Sequence, residues 1–294
     1  MDFYFYKTRL LACFLGSLLT LLMSLTVLAE PPTDTLQPIR FGVLSIAPPA
    51  RTHANWQPFV KYMSRELGRP VEIVVPRGFG KMKKAAAAGK VDFFYVNSLV
   101  FLRLKEAGKA IGLAQMENIS GKPTTQAAIF VRRDSGITHT NQLKGSTVTY
   151  VAPMGASYVA ARAYLYEQGL NAKGDTKEVF TKNLSSSIHK VLLGEVNVAT
   201  MCGVNYKLMS KKVNTGELKR IAYSNEYPEN VIAARKNLDP NLVARFTQVV
   251  THMSANKKGQ AVLKQMSNLK IQSFLIYDAG IEDMTKKLLA QGAF

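Results

Sequence analysis

The chain has 294 residues, 47% of them hydrophobic, and its 38 Lys and Arg against 20 Asp and Glu give a formal net charge of +18. That apolar share is ordinary for a globular protein and enough for one large or two medium domains, while the positive excess draws anions. Only Cys13 and Cys202 are present, so no disulfide framework is expected.

Lys7 and Arg9 precede an apolar run from Leu10 to Leu28 that ends in Val27-Leu28-Ala29, the layout of a secretory signal peptide over residues 1–29. Ser17, Thr20, Ser24 and Thr26 favour cleavage, although about 18 apolar residues also suffice for a retained membrane anchor. Lipidation at Cys13 does not fit, because most of the apolar run follows it. Export places the chain in the periplasm. Without Lys7, Arg9 and Asp2, 36 basic and 19 acidic side chains remain. An exported protein rarely meets nucleic acid, and no recognised nucleic-acid-binding motif occurs. An anionic ligand and a basic surface suited to an anionic envelope both remain open.

Residues 30–38 read as a flexible leader, since three prolines deny regular hydrogen bonding. From Ile39 onward short apolar runs alternate with helical patterns. A strand Ile39 to Ser45 leads to a helix Asn55 to Leu67 with Trp56, Phe59, Val60, Met63 and Leu67 on one face. Strand Val71 to Val75, helix Gly80 to Ala88, strand Val91 to Val96, helix Leu99 to Ala107 and strand Ile111 to Met116 follow. This alternation predicts α/β architecture with mostly parallel sheets flanked by helices.

A second series opens with strand Gln126 to Arg132 and a short helix near Asn141. It continues through strand Thr147 to Val151, helix Gly155 to Gln168, strand Lys177 to Phe180, helix Ser185 to Leu193, strand Val196 to Thr200, helix Val204 to Ser210 and strand Leu218 to Tyr223. Strand Val231 to Arg235 leads to helices at Asn241 to Met253, Lys258 to Met266 and Ile281 to Leu289. If the chain crosses near Ala127 and returns near Glu226 to Asn230, residues 39–127 with 229–294 form one lobe and 128–228 the other. A two-crossing hinge then leaves a cleft, where ligands commonly bind.

Several landmarks occur in order: Phe41-Gly42-Val43, Trp56-Gln57-Pro58-Phe59, Leu67-Gly68 and Gly89-Lys90-Val91-Asp92-Phe93-Phe94. Arg133 to Ile137, Gln142 to Gly145, Glu167 to Leu170 and Gly194 to Asn197 complete the set. With these the chain resembles the phosphonate-type periplasmic solute-binding proteins of ABC transporters over roughly residues 38–285. The resemblance implies a type II periplasmic-binding fold, a small-molecule ligand clamped between lobes, and an ABC transporter permease as partner. A membrane sensor protein is the alternative partner, and a monomer without cofactor or metal is expected.

The binding segments depart from that pattern. Where the resemblance implies hydroxyls and glycine at a second-lobe helix start, the chain has Met154, Gly155, Ala156 and Ser157, followed by Tyr158. Where it implies a serine-histidine pair, the chain has Asn183 and Leu184, with Ser185 and Ser186 next. Backbone donors at both helix starts still suit an anion, but a doubly charged phosphonate loses partners. In the first lobe Phe79 stands where the resemblance implies an aromatic residue, and Tyr95 adds aromatic surface. Asn97 and Ser98 either cap a helix or donate to a ligand. Trp56 reads as core, with stacking on the ligand as the alternative, Asp92 as a turn residue, and Thr125 with Thr124 and Gln126 enters from the cleft side. Tyr223 and Tyr227 flank the return crossing. The Lys81 to Lys84 cluster is either a wet helix face or an anion guide.

Catalytic spacings are missing: there is no Gly-x-Ser-x-Gly turn, phosphate-binding loop or His-Glu-x-x-His helix. His53, His139, His189 and His252 are scattered singly, and Met201-Cys202 reads as a buried strand end. The expected ligand is a small, partly apolar or weakly anionic organic solute, bound rather than turned over.

Overall fold

The computed structural model describes residues 37–291, except 45, 46, 172, 173, 182 and 212. The signal segment and most of the leader lie outside the described residues, as does Ser45.

The first part of the chain runs β1 (Ile39–Val43), α1 (Pro49–Leu67), β2 (Val71–Val74), α2 (Phe79–Ala87), β3 (Phe93–Val96), α3 (Ser98–Glu106) and β4 (Ala110–Asn118). After β5 (Thr124–Thr125) come β6 (Ala127–Arg132), β7 (Thr147–Tyr150), α4 (Ala156–Glu167), β8 (Lys177–Phe180) and α5 (Leu184–Leu192). Next are β9 (Val198–Cys202), α6 (Gly203–Met209), β10 (Leu218–Tyr223), β11 (Tyr227–Pro228) and β12 (Val231–Arg235). The chain finishes with α7 (Pro240–Thr251), α8 (Lys257–Gln265), β13 (Ile271–Ile276) and α9 (Gly280–Gln291).

Two sheets result, ordered β13-β4-β12-β3-β1-β2 and β10-β6-β9-β7-β8, and a two-stranded ladder of β5 and β11 joins the crossings. The α/β reading holds: β2, β1, β3 and β4 run one way in the first sheet against β12 and β13, and β8, β7, β9 and β10 run one way in the second against β6. The crossings explain two of these reversals. Strands β6 and β12 each enter their sheet from the ladder, so they run against neighbours that end there. The carboxyl ends of β3, β4, β7 and β9 therefore converge on the ladder, the side on which open α/β sheets commonly take ligands.

Helix α1 starts at Pro49 rather than Asn55, because a proline at the first helical position arrives with a helical φ and no donor to waste. Its inward face buries Trp56, Phe59, Val60, Met63 and Leu67 against Phe41, Phe93 and Phe246, the last two stacked at 3.8 Å. Helices α7 and α8 join this layer through Val250, Val262 and Leu263. On the opposite face of the same sheet Met82, Phe94, Val100 and Phe101 pack with Ile281. Helix α9 spans both halves, since Ile281 lies in that core whereas Leu288 lies with Tyr158, Val159 and Tyr227 beside the second sheet.

Strand β13 escaped the sequence reading. It pairs with β4, and the chain after it brings the Tyr277 ring over Gly112, where an added Cβ would lie 2.6 Å from a ring atom. Gly112→Ala should therefore cost about 1–2 kcal/mol of overpacking. Urea unfolding would show it, and an unchanged midpoint would mean that the ring swings aside freely.

Candidate functional site

Helices α3, α4 and α5 begin beyond the carboxyl ends of β3, β7 and β8, on the ladder side of the sheets. Asn97 caps α3, its Oδ1 accepting the Val100 N–H at 2.9 Å, and Asn183 caps α5 by accepting the Ser186 N–H at 2.8 Å. Helix α4 has Gly155 at its cap with no side-chain partner. None of the three carries an acidic residue in its first turn, so the partial positive charge of each start is left without a local counter-charge.

One hydrogen bond brings two of these starts together. Asn97 Nδ2 donates to the Met154 carbonyl at 3.1 Å, linking the loop after β3 to the loop after β7. Met154 adopts a left-handed backbone (φ 66°), a costly conformation for a non-glycine residue, and its side chain is 44% exposed. Next to Asn97, Ser98 is fully buried and its hydroxyl has no hydrogen-bond partner among the described residues. Asn97 thus caps its helix as expected, and its amide is taken by the Met154 backbone carbonyl.

The remaining candidates separate into those at this junction and those turned inward. Gly155, Ala156 and Ser157 form the start of α4, partly exposed, and Ser185 Oγ lies 3.2 Å from His189 Nδ1 on α5. Leu184 packs against the core of Ile188 and Val191 rather than standing free. Tyr158 is buried, donating to Glu178 at 3.1 Å and accepting from Arg162 at 2.7 Å, and so is tied into its own half. Trp56 is 1% exposed with its ring 4.7 Å from Tyr95, and the Tyr95 hydroxyl donates to Met116 Sδ at 3.0 Å. Phe79 opens α2 and is partly buried against Val74 and Met82. Lys81, Lys83 and Lys84 are exposed on the same helix.

At the ladder, Thr125 pairs with Tyr227, and its Oγ1 is 3.7 Å from Cys202 Sγ at the end of β9. A cavity of about 330 Å³ opens here, lined by Asn118, Thr125, Gln126, Gly203, Lys207 and Glu226 among others. Glu229 was not singled out from the sequence. Its half-buried carboxylate accepts from Asn118 Nδ2 at 3.0 Å, and burial pushes its pKa up against that hydrogen bond. Burial, with Glu229 nearby, also raises the Tyr95 hydroxyl and the Cys202 thiol. Asp92 lies at the other end of β3, gripped by Arg40 and Arg235, in line with its reading as a structural residue.

Two α/β halves whose strand ends and helix starts meet at a double crossing define a two-lobed binding protein of the type II periplasmic class. Residues 41–278 match the model of the periplasmic substrate-binding protein of phosphonate ABC transporters, and the chain belongs to that family. It is 22% identical to the phosphonates-binding periplasmic protein of Escherichia coli over 256 residues, covering 84% of this chain and 76% of that one. It is 30% identical over 145 residues to the tetrathionate sensor histidine kinase of Salmonella typhimurium, covering 48% of this chain but only 24% of the kinase. The fold matches the methylphosphonate complex of a Prochlorococcus marinus protein with a TM-score of 0.74 at 14% identity, over 85% of this chain and 96% of that one. Among the described residues no helix is long and apolar enough to cross a membrane.

Proposed function

We propose that the chain is exported by its signal segment and captures a small oxyanionic solute in the periplasm, without turning it over. Residues 39–127 with 229–294 form one lobe and 128–228 the other, closing about the β5–β11 ladder as a hinge. The observation that carries this is the Asn97–Met154 hydrogen bond, which draws the starts of α3 and α4 together with neither helix neutralised by an acid. Helix starts of this kind hold anions through free N–H groups and the helix dipole. The ligand wall comprises Asn97, Ser98, Gly155, Ala156, Ser157, Asn183 and Ser185, with Met154 as its apolar lip. Delivery to an ABC transporter permease by a monomer is the main reading. The similarity to a sensor kinase supports a second one, in which the occupied protein signals to a membrane kinase and the solute is a sulfur oxyanion.

A thermal-shift screen against phosphonates, sulfonates, sulfur oxyanions, carboxylates and amines tests the proposal, because a ligand specific for the folded state raises Tm by about 2.7 kcal/mol worth of stability at 100 times its Kd. We expect oxyanions alone to give that shift. A response confined to amines, or hydrolysis of the compound that binds, would refute the reading.

A further inference from the structure

The donors at the junction exceed what one small head group uses. On one side the first turns of α4 and α5 offer backbone N–H groups that have no carbonyl partner within their own helices. On the other, α3 adds its own first turn, the Asn97 amide and the Ser98 hydroxyl. That hydroxyl is fully buried yet unpartnered among the described residues, an arrangement native proteins keep for few groups. The Asn97 amide is spent on the Met154 carbonyl, held in place by a left-handed residue, and this carbonyl stands in for a ligand oxygen that would accept the same proton.

We infer that the ligand is two-headed, a small oxyanion with a singly charged acceptor group at each end. One head sits on the first turns of α4 and α5, and the other takes the Asn97 amide and the Ser98 hydroxyl in place of the Met154 carbonyl. This rests on the reading of the junction as a ligand cleft. Single charges suit the heads because these side-chain donors are neutral, and burying a second charge on one head would cost more than neutral donors return. The apolar, exposed Met154 side chain beside these donors suits a short apolar or sulfur linker.

Titration calorimetry on the purified protein tests this with methanesulfonate and methylphosphonate as one-headed probes, and ethane-1,2-disulfonate and tetrathionate as two-headed ones. The two-headed probes should bind at least ~10-fold more tightly, a difference of about 1.4 kcal/mol. Ser98→Ala should weaken them by a similar factor and raise the Tm of the unliganded protein by removing an unpartnered buried hydroxyl. Asn97→Ser keeps a capping oxygen but removes the amide donor, and should weaken two-headed probes in the same way. If one-headed probes bind as well and both variants are indifferent, the inference fails while the cleft reading stands. A Ser98→Ala variant that melts lower without ligand would equally overturn it, by showing a structural role for the hydroxyl. If no anion of either kind binds, both readings fall.

Discussion

Asp92→Ala should lower the stability of the fold by about 2–3 kcal/mol while leaving ligand affinity unchanged. Asp92 ties three strands, since its carboxylate takes Arg40 Nη2 at 2.9 Å and Arg235 Nε at 3.0 Å, and also accepts the Arg40 backbone N–H at 2.9 Å. Removing one partner of a buried pair commonly costs about 3–5 kcal/mol. Here the arginine side chains are 40% and 31% exposed, so water recovers part of that loss. Burial alone would raise the Asp92 pKa, but hydrogen bonds from Arg40 and Arg235 outweigh it and hold the carboxyl below its usual range. A depressed carboxylate contributes stability above the unfolded pKa of about 3.9, and loses it as pH falls through the folded value. Urea melts of wild type and variant should therefore differ most near neutral pH and converge in acid. An affinity loss in Asp92→Ala at full folding would show that Asp92 reaches the ligand after all.

The periodic signals were legible because they are local. The inward face of α1, the strand triplets and the cap at Asn97 could all be read from neighbouring residues. Strand direction could not, because β12 is antiparallel only by virtue of entering from the ladder, a consequence of a crossing more than a hundred residues after β3 begins. Strand β13 was hidden for a related reason: Ile271 to Ile276 follows α8 with no strong alternation, and only its pairing with β4 makes it a strand. The inward turn of Tyr158 had a sequence signal, since Arg162 stands four residues on, the spacing of neighbours on a helix face. The grip on Asp92 draws on Arg40 and Arg235, and the hinge cluster on Asn118, Cys202, Tyr227 and Glu229. No short-range pattern announces either set.

That hinge cluster yields the last prediction, that Glu229→Gln should stabilise the protein at neutral pH and not in acid. The groups facing Glu229 come from four strands: Tyr95 on β3, Asn118 on β4, Cys202 on β9 and Tyr227 on β11. Burial raises the Glu229 pKa, with the Asn118 hydrogen bond opposing it. A raised carboxyl makes its full contribution below the unfolded value of about 4.3, where both states hold the proton. As pH climbs, the unfolded chain releases its proton first, so stability falls until the folded carboxyl ionises too. Glutamine keeps an acceptor for Asn118 without the charge, so wild type and variant should match near pH 4. They should diverge by up to about 1.4 kcal/mol per unit of raised pKa above it. Paired urea melts from pH 4 to pH 8 measure that divergence, and parallel curves would mean that Glu229 is as well solvated in the fold as in the unfolded chain. Because the residue sits where the chain returns between the two sheets, the same ionisation should bias how readily the lobes part. Ligand affinity of the wild type should change over that pH range, and that of Glu229→Gln should stay flat.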